Sequence, residues 1–196
     1  MNRKVNAFLQ YNGLSAQDFL EALAEKFSEF SVAPPIDVNR IIQLLGVKLD
    51  DSLDFDKSST AGSVSIRESH AIIWINPIEN NYMPRRRFTI AHEIGHLILH
   101  IDPEIGVREF IDTKKSLNRK DSYWDSKEYE ANNFAAQLLM PVDLLSEHGE
   151  EIISSHESSL GNRKMPVSMF IEKMASRFEV SEPAMKFRLK NIGAIG

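Results

Sequence analysis

The amino-acid sequence predicts an α+β protein: a small antiparallel or mixed sheet packed on a helical core, with a C-terminal helical unit that looks like a helix-turn-helix. Three observations predict it. Apolar residues recur at three- and four-residue spacing in several separate windows, the period of an amphipathic helix. Short runs rich in strand-forming residues gather between Val47 and Asn76, where that period is lost. Near the C-terminus two short helical windows are separated by only Glu179-Val180, as in paired helices joined by a tight turn.

Taken in order, the first helix starts at Ser15 and runs to about Phe30. Ser15 can cap it, Asp18 suits the positive end of its dipole, and Phe19, Leu20, Leu23, Phe27 and Phe30 form one buried face. Pro34-Pro35 stops that helix and Asp37 caps the next. Val38, Ile41, Ile42 and Leu45 are its apolar stripe, with Gly46 at the usual C′ position. Val47 to Leu49 reads as a strand and Asp50 to Thr60 as a loop. Gly62 to Arg67 and Ala71 to Asn76 read as a hairpin turning at Glu68-Ser69-His70. Pro84 can open a long helix through about Ile101, which Pro103 closes. Residues 102 to 125 carry no clear period, and a connection of that length is expected to be functional or partly ordered. A helix follows from Ser126 to Met140, ended by Pro141, then a shorter one from Val142 to His148 and a polar linker from Ser154 to Lys164. Pro166 to Phe178 and Ser181 to Lys190 are the last two helices. The expected organisation is a main domain over residues 1–160, including an N-terminal helical segment 1–34, and a C-terminal helical pair over residues 161–196.

The composition supports a folded domain: 196 residues, 42% hydrophobic and 26% charged, are ordinary values for a globular chain. There is no cysteine, which excludes disulfides, a thiolate nucleophile and sulfur-ligated zinc. Any metal site must be built from His, Asp and Glu. The apolar runs fall far short of the ~20 residues that span a bilayer, and the polar start carries no apolar signal region, so a cytoplasmic location is expected. The net charge of −5 divides unevenly, with −9 over residues 1–160 and +4 over residues 161–196.

Within the long helix stands His92-Glu93-Ile94-Gly95-His96, an HExxH motif. Histidines four apart share one helix face, so both imidazoles can reach one ion, and Glu93 lies beside that face where it can take a proton from a bound water. With 6 His and 17 Glu in the chain, independent placement yields such a motif only about 0.016 times. A catalytic zinc site needs a third ligand, here His or carboxylate. A third His further along the same segment is disfavoured, because the positions that would carry the turn glycine and the ligand hold Leu99 and Asp102. His100 lies about 80° round the helix from His92, awkward for joint ligation and better suited to supporting a ligand. Glu128 and Glu130 on the later helix are the carboxylate candidates. They point about 200° apart, so only one can serve, and Ala131, Ala135 and Ala136 would let that helix approach closely.

Two blocks carry a resemblance. Arg87 to His100, RFTIAHEIGHLILH, and Glu128 to Pro141, EYEANNFAAQLLMP, resemble the ImmA/IrrE-type zinc metallopeptidases, the second block being the more distinctive. The similarity extends over roughly residues 35–190. It implies a gluzincin-like, zincin-type core in which His92 and His96 are zinc ligands, Glu93 is the general base and Glu128 is the third ligand, with Glu130 in reserve. It also implies a Zn2+-dependent endopeptidase that cleaves a regulatory protein, a helix-turn-helix repressor in the setting of phage-like mobile elements or stress responses.

In such hydrolysis the metal polarises the scissile carbonyl and Glu93 shuttles the proton to the leaving amine. An extended substrate is expected to pair with the strand Ile72 to Asn76. Candidates to stabilise the oxyanion are Tyr123, Tyr129, His100 and Arg85 to Arg87. The rival expectation is a DNA-binding regulator that uses the protease-like fold as a sensor and presents Lys186, Arg188 and Lys190 to a DNA groove. An acidic chain disfavours that partner, although the basic tail leaves it open.

Overall fold

A computed structural model of the chain describes residues 7–67, 70–113, 126–159 and 164–196. The hairpin turn at residues 68 and 69, Tyr123, and the later part of the loop expected over residues 102–125 lie outside them. Among the described residues the architecture is α+β, with seven α-helices and one mixed four-stranded sheet.

Helix α1, Ala16–Lys26, starts where Ser15 caps it: the Asp18 amide donates to Ser15 Oγ at 3.1 Å. Its apolar face is Phe19, Leu20 and Leu23, all buried, and Phe19 meets Phe134 with ring centroids 5.8 Å apart. The helix ends four residues before Phe30. Helix α2, Val38–Leu45, is capped by Asp37, whose Oδ1 accepts from the Arg40 amide at 2.9 Å. It ends at Gly46 in the left-handed conformation, φ 67°, which glycine adopts without steric penalty.

The strands are β1, Lys48–Asp50; β2, Thr60–Arg67; β3, His70–Ile75; and β4, Glu109–Thr113. Their order across the sheet is β1-β3-β2-β4, with β1 parallel to β3 and the other pairs antiparallel. The hairpin is as expected. The substrate-pairing role expected of Ile72 to Asn76 is not: β3 is an interior strand, and its two sides are already bonded to β1 and β2. The edge strand beyond β2 is β4, which comes from the stretch of residues 102–125 that carries no sequence period.

Helix α3, Met83–Leu99, begins with proline in its first turn and packs beneath β2 and β3. Helix α4, Ser126–Leu139, lies across its other side. Helix α5 spans Val142–Ser159, well past the expected end at His148 and into the expected linker. Gly149 does not stop it, because it faces Phe170 of the next helix: a Cβ there would sit 3.3 Å from Phe170 Cζ. Helices α6, Val167–Phe178, and α7, Glu182–Asn191, follow. Arg188 joins α7 to the end of α4 through a hydrogen bond from Nε to the Met140 carbonyl at 3.1 Å. No helix among the described residues is long and apolar enough to cross a membrane.

Candidate metal centre

The middle of α3 is enclosed, with the sheet on one side and α4 on the other. Ile90, Ala91, Ile94, Leu97 and Ile98 are buried there, and so are the polar His92, Glu93 and His96. The close approach of α4 has a local cause. At Gly95 a Cβ would lie 3.1 Å from the Ala131 carbonyl oxygen and 3.3 Å from Phe134 Cβ, so the helices touch where one has glycine and the other alanine. That contact brings Glu128, in the first turn of α4, over the two histidines.

His92, His96 and Glu128 converge, and one ligand atom from each lies within 4.8 Å of the others. The two Nε2 atoms are 2.9 Å apart. Glu128 Oε2 is 3.3 Å from His92 Nε2, and its Oε1 is 3.4 Å from His96 Nε2. Donors ~2.0–2.1 Å from a tetrahedral ion stand about 3.3 Å from one another, so the set has the dimensions of such a site. Its chemistry agrees. His92 Nδ1 lies 3.1 Å from Asn132 Oδ1, an acceptor, so the ring proton belongs on Nδ1 and Nε2 presents a lone pair. Imidazole lone pairs and carboxylate oxygens turned together are what a divalent cation would bind.

The electrostatics favour the metal-binding forms of His96 and Glu128. Burial lowers the pKa of His96 to about 4, with its histidine neighbours adding to the fall and Glu128 opposing it. Burial alone would raise Glu128, but hydrogen bonds and charge from His92 and His96 outweigh that and hold it at about 2. At neutral pH the imidazole is neutral and the carboxylate ionised, the forms that ligate a metal.

Glu130 and His100 take other places. Glu130 Oε2 is 2.9 Å from His100 Nε2, and His100 Nδ1 is 2.9 Å from His96 Nδ1. Phe110 of β4 stacks on the His96 ring, with centroids 3.8 Å apart. Glu93 is fully buried and faces β2 at Gly62, where a Cβ would come within 2.5 Å of Glu93 Oε1 and 3.0 Å of Thr89 Cγ2. Beside it Thr89 Oγ1 donates to Asn80 Oδ1 at 2.6 Å, and Asn80 Nδ2 donates to the Ala61 and Asn76 carbonyls. This buried network fixes β2 against α3. Gly62, Asn80 and Phe110 were not singled out by the sequence pattern, since each depends on which strand meets which helix.

The expected oxyanion residues are placed as follows. Arg85 pairs with Glu79 and Arg86 with Asp51. Arg87 is buried, donating from Nη2 to the Ile36 carbonyl at 3.0 Å and from Nε to the Glu179 carbonyl at 3.2 Å. His100 is turned to His96. Tyr129 is more than half exposed. Of the three basic residues expected to face DNA, Lys186 and Lys190 are exposed and Arg188 is buried against Met140.

Fold and site together define a metallopeptidase-like domain with a His-His-Glu group able to hold a metal ion. The chain belongs to the IrrE N-terminal-like domain family, Peptidase_M78, whose model matches residues 45–190. No curated protein matches the chain.

Proposed function

We propose that the protein is a zinc-dependent endopeptidase of narrow range that cleaves a regulatory protein, a helix-turn-helix repressor, in the cytoplasm. The observation that carries this reading is the convergence of His92, His96 and Glu128 from two helices, with the carboxylate of Glu93 buried on the same helix. Family membership supports peptidase chemistry. His92, His96 and Glu128 would hold the ion, leaving the coordination position that catalytic zinc sites keep open. Zinc bound there supplies Lewis acidity for the attacking water and the scissile carbonyl.

The remaining steps belong to the chain. Glu93 takes the proton of the attacking water and delivers it to the leaving amine nitrogen, so the peptide bond breaks with a proton gained by the departing group. Burial of Glu93 keeps its carboxylate out of bulk water. An extended substrate segment pairs with β4, the strand at the end of the sheet whose Phe110 lies on His96, by main-chain hydrogen bonds that ask little of its sequence.

The test compares the wild type with Glu93→Gln. Both are expected to carry close to one zinc per chain by atomic emission. New N-termini in a DNA-binding regulator, mapped by mass spectrometry of cells expressing each protein, are expected with the wild type alone. Cleavage retained by Glu93→Gln would rule out the assigned base, and a wild type that takes up no zinc would rule out the site.

A further inference from the structure

The side chains behind the metal-facing nitrogens form a directed chain that family membership does not by itself assign. It starts at His96 Nδ1, 2.9 Å from His100 Nδ1, and continues from His100 Nε2 to Glu130 Oε2, again 2.9 Å. The side chain of His100 is 4% exposed while that of Glu130 is 55% exposed, so the chain leads from the buried ligand to the surface. Its polarity is set at the outer end. Glu130 is a carboxylate and can only accept, so His100 Nε2 carries the proton and His100 Nδ1 is left as an acceptor. That acceptor faces His96 Nδ1, which must then be the donor, and His96 Nε2 is left with its lone pair toward His92 and Glu128.

We propose that His100 and Glu130 are positioning residues for the metal centre, holding His96 in the Nδ1–H tautomer and fixing the plane of its ring so that Nε2 is preset for the ion. This rests on the metallopeptidase reading above. Phe110 reinforces the same orientation, since its ring lies 20° from parallel to that of His96 at 3.8 Å and limits rotation about χ2. The pair that supports the other ligand is shorter. His92 Nδ1 meets the Asn132 amide oxygen directly, which fixes the same tautomer without a carboxylate. His96 differs in being completely buried, out of reach of water that could accept its ring proton, so it depends on an internal acceptor.

Two variants separate tautomer control from mere packing. His100→Leu fills the space without an acceptor. His100→Gln keeps an acceptor for His96 and a donor for Glu130. On the full chain, zinc affinity is read by competition with a chromophoric chelator at pH 7.5. His100→Leu is expected to bind zinc about 10- to 100-fold more weakly, the usual cost of losing a ligand's outer partner, and His100→Gln to recover at least half of that loss on a logarithmic scale. Glu130→Leu is expected to lose about threefold to tenfold, less than His100→Leu because its carboxylate is solvated. In the metal-free protein, long-range 1H–15N spectra of the ring are expected to show His96 protonated at Nδ1 in the wild type and as a tautomer mixture in His100→Leu. A wild type that binds zinc tightly together with a folded His100→Leu that binds equally well and keeps the Nδ1–H tautomer overturns the proposal. A wild type with no zinc affinity overturns instead the metallopeptidase reading on which it rests.

Discussion

At Gly62 the missing side chain makes room for Glu93, because its carboxylate occupies the space a Cβ would take, 2.5 Å from Oε1. Glycine inside a strand is usually a weakness, through lost packing and greater chain entropy. Here alanine would suit the strand better and the site worse. Thr89 Cγ2 stands on the same spot at 3.0 Å and is itself held by Asn80, so neither neighbour can retreat freely and the carboxylate must turn. Gly62→Ala is therefore expected to lower the rate of peptide cleavage by about 10- to 100-fold, the scale of an ångström-size misplacement of a catalytic group. Zinc affinity is expected to stay within about threefold of wild type, since His92, His96 and Glu128 do not touch that position. Parallel measurement of zinc binding and turnover checks this, and a variant that cleaves normally would show that Glu93 does not need its observed place.

Among the elements, α3 is fixed at two places by different means: within the site by the contact of Gly95 with Ala131, and nearer its start by Arg87. The Arg87 guanidinium reaches the Ile36 carbonyl ahead of α2 and the Glu179 carbonyl between α6 and α7, and its Nη1 lies 3.5 Å from the Glu179 carboxylate. One side chain thus ties two other parts of the chain to the helix that carries His92 and His96. Burial pulls its pKa down while Glu179 and Asp37 hold it up, and an arginine so placed remains a cation. Arg87→Met should cost about 2–4 kcal/mol of unfolding free energy, because the buried Ile36 carbonyl and the part-buried Glu179 carbonyl lose a charged donor, yet leave the zinc affinity of the folded fraction unchanged. Urea titration alongside metal competition measures both; a drop in affinity without a drop in stability would return Arg87 to the site. The elements legible in the sequence were those whose signals are local. Ser15, Asp37 and Gly46 mark helix ends by bonds to their near neighbours, and His92 and His96 share a face by helical geometry alone. Strand β4 was missed because Glu109–Thr113 has little alternation of its own and exists by pairing with β2, whose residues are remote in sequence. The interior place of β3 and the full length of α5 escaped for the same reason. The alanines showed that α4 can approach α3 but left Glu128 and Glu130 both open, and only the family resemblance favoured Glu128, whereas Phe110 and Gly62 required knowing which strand lies over α3.

Over the molecule as a whole, the candidate metal centre is a place where folding and proton binding are linked. In the folded chain burial holds His96 to a pKa of about 4 against an ordinary 6.5, and Glu128 is held at about 2 against 4.5. Both shifts are downward, so the folded state binds fewer protons than the unfolded chain wherever the pH lies between the two values of each group, and stability rises with pH there. The His96 contribution is complete above 6.5 and is lost as the pH falls toward 4. The Glu128 contribution is complete above 4.5 and is lost toward 2. The two windows follow one another, which predicts a progressive loss of stability on acidification of the chelator-treated protein, beginning below pH 6.5. Under the proposed function zinc would steepen the dependence, since protons compete with it for the same atoms, and at a free concentration 100 times its dissociation constant it would add about 2.7 kcal/mol. Urea midpoints at pH 7.5, 5.5 and 4.5, with and without zinc, test the account. The gap between the two curves is expected to be widest at pH 7.5 and to close by pH 4.5, and His96→Gln is expected to flatten the metal-free curve between pH 6.5 and 4. A gap that persists unchanged at pH 4.5 would place the stabilising ion somewhere other than on these side chains.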